Sequence, residues 1–194
     1  MAHESPTAVF EAAQRAMTAR DWEAFFGCLD RRDLLRLGEL AFGLGAAMDA
    51  VCLEHGVSAA QLARVSALTG HLQGSAQASL KAWREKTPGY QELSEGHRAL
   101  LEARQEAIQT ALASVTDLTS FNARAERFKR ATLGGGSVSS TMFVGETLHD
   151  VLVEGGKATG FRRVPRGSEV PIAFVRRKGA WFIKLMPPRN ARPS

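Results

Sequence analysis

Three consecutive glycines, Gly134, Gly135 and Gly136, limit what this chain can fold into more than any other feature. Three residues without side chains can neither continue a helix nor fill a core, so they mark a break between elements. Before them, apolar residues recur at helical spacing. After them, the period changes to two, the signature of a half-buried strand. The pattern predicts an α+β protein. A helical region over 1–133, consisting of opening helices plus a large helical insertion, is followed by an antiparallel β-meander of about four strands over 134–194, and the two together form one domain.

The opening helices are well marked. Ser5 is a good N-cap and Pro6 suits the first helical position, and Val9, Phe10, Ala13 and Met17 follow at helical spacing. Asp21 starts a second helix whose Trp22, Phe25, Phe26 and Leu29 form a bulky stripe. Asp30 or Asp33 caps a third, expected from Leu34 to about His55 and ended by Gly56. Ser58 opens a helix expected to stop near Gly70, and a connector then leads to a short helix over 76–86. A turn at Thr87–Tyr90 precedes a helix from Ser94 to about Val115, and Ser120 opens the last one before the glycines.

The strands carry a testable register. Gly155-Gly156 reads as a two-residue hairpin loop, pairing Glu154 with Lys157, Val153 with Ala158 and Asp150 with Phe161. Pro165-Arg166-Gly167 turns the chain again and aligns Arg163 with Glu169. Lys178-Gly179 sets Arg176 against Trp181, Phe174 against Ile183 and Ile172 against Leu185 on the better core face, with Val175 against Phe182 and Ala173 against Lys184 on the other.

Charge is unevenly spread. The formal net charge is +5, yet residues 155–194 carry +9 and residues 1–154 carry −4. Arg162, Arg163, Arg166, Arg176, Arg177 and Lys178 fall at turns and strand ends of the meander. They form a candidate surface for an acidic partner, against the plainer reading of a solvated face balancing acidic helices. Trp181 beside Arg176 reads as a core tryptophan with an arginine over its edge rather than a stacking platform for a base. Nucleic-acid binding is therefore the less favoured alternative, because base-reading sheets interleave aromatics with their cations.

The residues argue against several chemistries. His3, His55, His71, His97 and His149 show no metal-ligand spacing with each other or with Cys28 and Cys52, so no metal or other cofactor is expected. There is no G-x-S-x-G, no plausible Cys–His neighbourhood, and no Lys-Ser/Thr after the glycines to make a phosphate loop. His149 and Asp150 are expected on opposite faces of a strand. Glu39 and Asp49 lie in an apolar helical stretch, where burial would raise their pKa values, though a water-facing helix side is favoured. The first residues lack a basic stretch followed by an apolar run, and the most apolar segment, Leu37–Leu53, is interrupted by Glu39 and Asp49. A cytoplasmic protein with two buried thiols and no membrane partner is expected.

The segments FEAAQRAMTARDWEAFFGCLD and IAFVRRKGAWFIKLM resemble the opening helices and the final hairpin of the nuclear transport factor 2-like superfamily, a cystatin-like α+β group that includes ketosteroid isomerases and polyketide cyclases. The resemblance covers roughly the first 35 and last 50 residues, and the stretch from about Gly38 to Leu133 is longer and more helical than in the family. It implies a curved sheet closed by a tryptophan-led strand. In the family's enzymes, an apolar pocket holds a carboxylate or histidine with a tyrosine or protonated acid as donor. Here the one tyrosine, Tyr90, falls in a turn. The chain is thus expected to be a non-catalytic protein-binding module, of which an inhibitor or immunity-type protein is one concrete form. An isomerase- or cyclase-type enzyme is the alternative.

Overall fold

A computed structural model describes residues 3–85, 90–165 and 167–185, with the backbone alone for 90–94. The turn expected at Thr87, Pro88 and Gly89, and the side chain of Arg166, lie outside them. The fold is α+β, with helices α1 (Pro6–Ala19), α2 (Trp22–Gly27), α3 (Arg31–Ala41), α4 (Asp49–Glu54), α5 (Ala59–Glu85), α6 (Tyr90–Ala113) and α7 (Leu118–Leu133). Strands β1 (Thr147–Glu154), β2 (Lys157–Arg163), β3 (Glu169–Arg177) and β4 (Ala180–Lys184) follow. The chain divides into two compact units along a line other than the helix-to-sheet break. One comprises 1–37 and 118–194, the other 38–117.

In the first unit, local signals act as the sequence implies. Ser5 accepts from the Ala8 N–H at 3.0 Å, Asp21 accepts from Ala24, and Arg20 turns the chain between the two helices at a left-handed φ of 55°. Phe10, Phe25, Phe26, Phe121, Phe143 and Phe174 are fully buried together. Phe10 meets Phe143 edge to face at 5.4 Å, as does Phe25 with Phe26.

The sheet is a meander in the order β1-β2-β3-β4. Observed pairs include Glu154 with Lys157, Val153 with Ala158, Arg163 with Glu169, Arg176 with Trp181, Phe174 with Ile183, Val175 with Phe182 and Ala173 with Lys184, all as the turn chemistry predicts. Ile172, Phe174, Trp181 and Ile183 are buried on the core face. The pairing of Asp150 with Phe161 is overturned. A bulge between His149 and Leu152 shifts the register by one, so His149 faces Phe161. Asp150 sits in the bulge at φ 51°, a left-handed conformation that aspartate tolerates better than most residues. The outer edge of β4 is covered by residues 28–30. Ile183 donates to the Cys28 carbonyl and accepts from the Asp30 N–H, at 2.8 and 2.9 Å. Trp181 donates its backbone N–H to the His3 carbonyl at 2.9 Å.

In the second unit, the expected helix from Leu34 to His55 is broken. Gly45 adopts φ 61° and ψ −150°, which glycine alone accepts readily, and Phe42–Met48 forms a 3₁₀ segment between α3 and α4. Conversely, the expected stop near Gly70 does not occur: α5 runs 27 residues through Gly70 and Gly74. Tertiary pairing with α6 outweighs the cost of two interior glycines, about 1 kcal/mol each. Arg104 Nε donates to Thr69 at 2.8 Å, and His97 Nδ1 lies 3.3 Å from the Ser75 hydroxyl. Ser58 and Gln61 cap α5 reciprocally, with Ser58 N–H donating to Gln61 Oε1 at 2.8 Å and Gln61 N–H to Ser58 Oγ at 3.3 Å. α6 starts at Tyr90 and α7 at Leu118, earlier than the Ser94 and Ser120 starts suggest.

Trp181 is only 4% exposed. Trp181→Ala is expected to destabilise by about 3–5 kcal/mol. Denaturant melts test this, and a loss below about 1 kcal/mol, well under that cavity range, would mean the indole contributes little to the core.

Candidate functional site

The basic residues of the meander do not share one surface. A meander places alternate turns at opposite ends, and seven residues of strand span roughly 20 Å. Arg176, Arg177 and Lys178 lie at the β3–β4 turn. Lys157 joins them, because its strand position pairs with Val175 and the Arg176 N–H donates to the Gly156 carbonyl at 2.8 Å. Arg162 and Arg163 lie toward the far end, where β2 leads into β3, and Arg166 lies outside the described residues.

Arg162 does not belong to a solvent-facing patch. Its guanidinium donates to both oxygens of Glu146 at 2.9 and 2.8 Å, and it lies over the Phe143 ring at 5.4 Å. Glu146 is buried and also accepts from the Phe143 N–H, while Gln14 donates to the carbonyls of both residues. The pair is a structural clamp on the segment entering β1. Arg163 is paired with Glu169 at 2.9 Å on the exposed face. Arg176 is not placed over Trp181 either: its Nε donates to the Gly179 carbonyl, and Trp181 turns into the core. The end bearing Lys157, Arg176, Arg177 and Lys178 retains a cationic excess, with Glu154 opposite Lys157 and Asp30 3.8 Å from Arg177. Next to it, on β1, Leu152 and Val153 are 60% and 51% exposed.

His149 and Asp150 are brought together, not separated. The bulge abolishes strict alternation, so His149 Nδ1 lies 2.9 Å from Asp150 Oδ2 and Nε2 lies 3.4 Å from Glu169 Oε1. Phe161 stacks on the ring at 6.0 Å. This histidine lies between two carboxylates, Asp150 of β1 and Glu169 of β3. Glu39 and Asp49 are half-buried rather than enclosed.

A histidine also approaches a cysteine, which sequence spacing does not reveal. His3 Nε2 stands 3.8 Å from Cys28 Sγ beside a cleft of about 430 Å³ between α1 and α2. Burial pushes the Cys28 thiol up to about 11 and lowers the His3 imidazole, so neutral partners are favoured and a thiolate nucleophile is not.

The buried charges of α7 carry their own signal in the sequence, since Glu126 and Lys129 recur with Phe121, Asn122 and Ala125 on one helical face. Glu126 is 1% exposed, pairs with Arg130 at 2.7 Å and accepts from the Ser137 N–H at 2.8 Å. Arg130 donates to the Val138 carbonyl and stacks 4.2 Å from the Trp22 ring. Lys129 donates to Ser137 Oγ, and burial lowers its pKa against the opposing pull of Glu126. A Cβ on Gly136 would collide with the Glu126 carboxylate, so that connector position must be glycine.

Asp30 and Asp33 are likewise buried. Asp33 Oδ2 accepts from the Leu185 N–H at 2.8 Å. Burial nonetheless raises its carboxyl above the ordinary 3.8, with Asp30 adding to the effect. Among the described residues, no group of three or more His, Cys, Asp or Glu is arranged to hold a metal ion, and no helix is long and apolar enough to cross a membrane. Comparison with family models, curated proteins and solved structures gives no match to any of them.

Two outcomes follow from this geometry. Arg162→Gln strands a buried carboxylate and is expected to cost about 3–5 kcal/mol, whereas Arg176→Gln is expected to stay within about 0.5 kcal/mol. Urea melts compare them, and equal losses would show that Arg162 is not a clamp. Asp33 binds a proton more tightly folded than unfolded. Its contribution is therefore full below 3.8 and is lost as pH rises through the raised folded value. Asp33→Asn keeps an acceptor for Leu185 and is expected to flatten stability over that window. Parallel wild-type and variant curves from pH 3.5 to 6 would contradict this.

Proposed function

We propose that this chain is a cytoplasmic, non-catalytic binding protein that recognises an acidic surface on another protein through the sheet end bearing Lys157, Arg176, Arg177 and Lys178. The observation that carries the reading is the gathering of four cations at two neighbouring turns, with exposed Leu152 and Val153 beside them. Apolar anchors next to a cationic rim suit protein recognition, where the apolar groups supply contact energy and the charges set the encounter rate. Arg162 and Arg163, committed to Glu146 and Glu169, are not part of this surface. An inhibitor or immunity-type role is one concrete form of the proposal.

A nuclear transport factor 2-like fold enlarged by an insertion is part of the same reading. Both segments that carry the resemblance fall in the first unit, while residues 38–117 form the second. The enzyme alternative draws less support, because two of the buried carboxylates, Glu126 and Glu146, are held by Arg130 and Arg162, and a third, Asp33, accepts from the Leu185 N–H. Both cysteines are free thiols, in keeping with a reducing compartment.

The test is the variant in which Lys157, Arg176, Arg177 and Lys178 are all replaced by glutamine, measured against a partner captured from native lysate. The variant is expected to fold as wild type and associate about tenfold more slowly at low salt, with the difference shrinking as the Debye length falls to ~3 Å at 1 M. Association as fast as wild type at low salt would move the partner site elsewhere on the chain.

A further inference from the structure

The second unit contains a cleft of about 380 Å³ between the 3₁₀ segment and α5, a volume suited to a small organic ligand. Its floor is apolar, formed by Phe42, Met48, Cys52, Leu62 and Val65, all buried. Its rim is polar, with Ser66 and Gln73 from α5 and the carboxylate of Asp49 from the start of α4. Asp49 is the one carboxylate on this lining, and no salt bridge among the described residues engages it. Burial, with Asp49 adding to it, pushes the neighbouring Cys52 thiol up to about 11.

The glycines of the cleft point the same way. Gly45 is required by its backbone angles, but Gly43 and Gly70 are not: a Cβ at either would meet nothing within 4 Å. Gly70 lies in the middle of α5, where alanine would favour the helix. Packing therefore does not demand a glycine there, and the consequence of having one is an open wall.

We infer that this cleft binds a small molecule with an apolar or aromatic body and a single protonated amine. The body lies on the Phe42–Met48–Leu62–Val65 floor and the ammonium pairs with Asp49. An apolar floor with one unpaired carboxylate at its edge gives such a cation both burial and charge neutralisation, whereas an anion of the same shape meets repulsion.

The experiment is an amide chemical-shift titration of the full chain with 2-phenylethylamine, 2-phenylethanol and phenylacetate. The amine is expected to shift amides of residues 42–52 and 62–73 saturably, with a Kd on the order of 1 mM or tighter. The alcohol should bind about tenfold more weakly and the carboxylate more weakly still. Asp49→Asn should bring amine and alcohol to equal affinity. Gly70→Leu should keep or raise the melting temperature while abolishing binding of all three. Should Gly70→Leu fail to fold, the isosteric Asp49→Asn comparison decides alone. The inference is overturned if the amine shifts no amides of these two stretches, if amine and carboxylate bind equally, or if Asp49→Asn leaves the preference for the amine unchanged.

Discussion

The carboxylate of Glu126 fixes the point at which helix gives way to sheet. It is buried in the middle of α7, where an unpaired charge would be prohibitively unstable, so the surrounding chain must supply donors. Arg130 supplies one from the same helix and the Ser137 N–H supplies another from the connector. The connector can reach that position only because Gly136 has no Cβ to strike the carboxylate. Arg130 then extends the arrangement to Val138 and to the face of Trp22, tying α2, α7 and the path toward β1 into one network. Removing any single member leaves another charge buried without compensation, which is why such a network specifies one geometry more than it adds raw stability.

A second clamp of the same kind lies one segment later, where Glu146 and Arg162 hold the chain as it enters β1. Its effect on the surface is as important as its effect on the fold. The sequence presents six cations that look equivalent, but each carboxylate that pairs with one removes it from the field seen by a partner. Glu146 neutralises Arg162 and Glu169 neutralises Arg163, so these two cations are balanced within the sheet end that holds them. The end at Lys157, Arg176, Arg177 and Lys178 sets four cations against Glu154 and Asp30, and Asp30 approaches Arg177 only at 3.8 Å. Net charge by segment therefore overstates the basic surface and misplaces its centre.

What could be read from the sequence followed from how local its causes are. The caps at Ser5, Asp21 and Ser58, the glycine break and the turns at Gly155-Gly156 and Lys178-Gly179 act through hydrogen bonds and backbone angles within four residues, and the two turns set the register of β3–β4 and, as far as the bulge, of β1–β2. The failures all involve competition between local and long-range effects. Gly70 and Gly74 weaken a helix locally but are carried through by pairing with α6, whereas Gly45 breaks one because its backbone angles lie outside any helix. The bulge at Asp150 inserts one residue that no two-fold pattern announces, and it turns an expected separation of His149 from Asp150 into a contact. Glu126 and Lys129 were legible as charges on an apolar helix face, but their partners on the connector were not, since nothing in spacing says that Ser137 returns to them.

The two units solve different physical problems with different residue types. The first fills its interior with phenylalanine and tryptophan and pairs its buried Glu126 and Glu146 with arginines. The second buries Leu72 of α5 and Ile108 and Leu112 of α6, and links these helices by polar contacts at Thr69, Ser75, His97 and Arg104. At the base of α5, Met48, Cys52, Leu62 and Val65 form the floor of a cleft. A protein whose first unit carries a cationic sheet end and whose second leaves apolar surface beside an unpaired carboxylate has room for two independent recognition events, one at a surface set by charge and one in a cleft set by shape and a single charge.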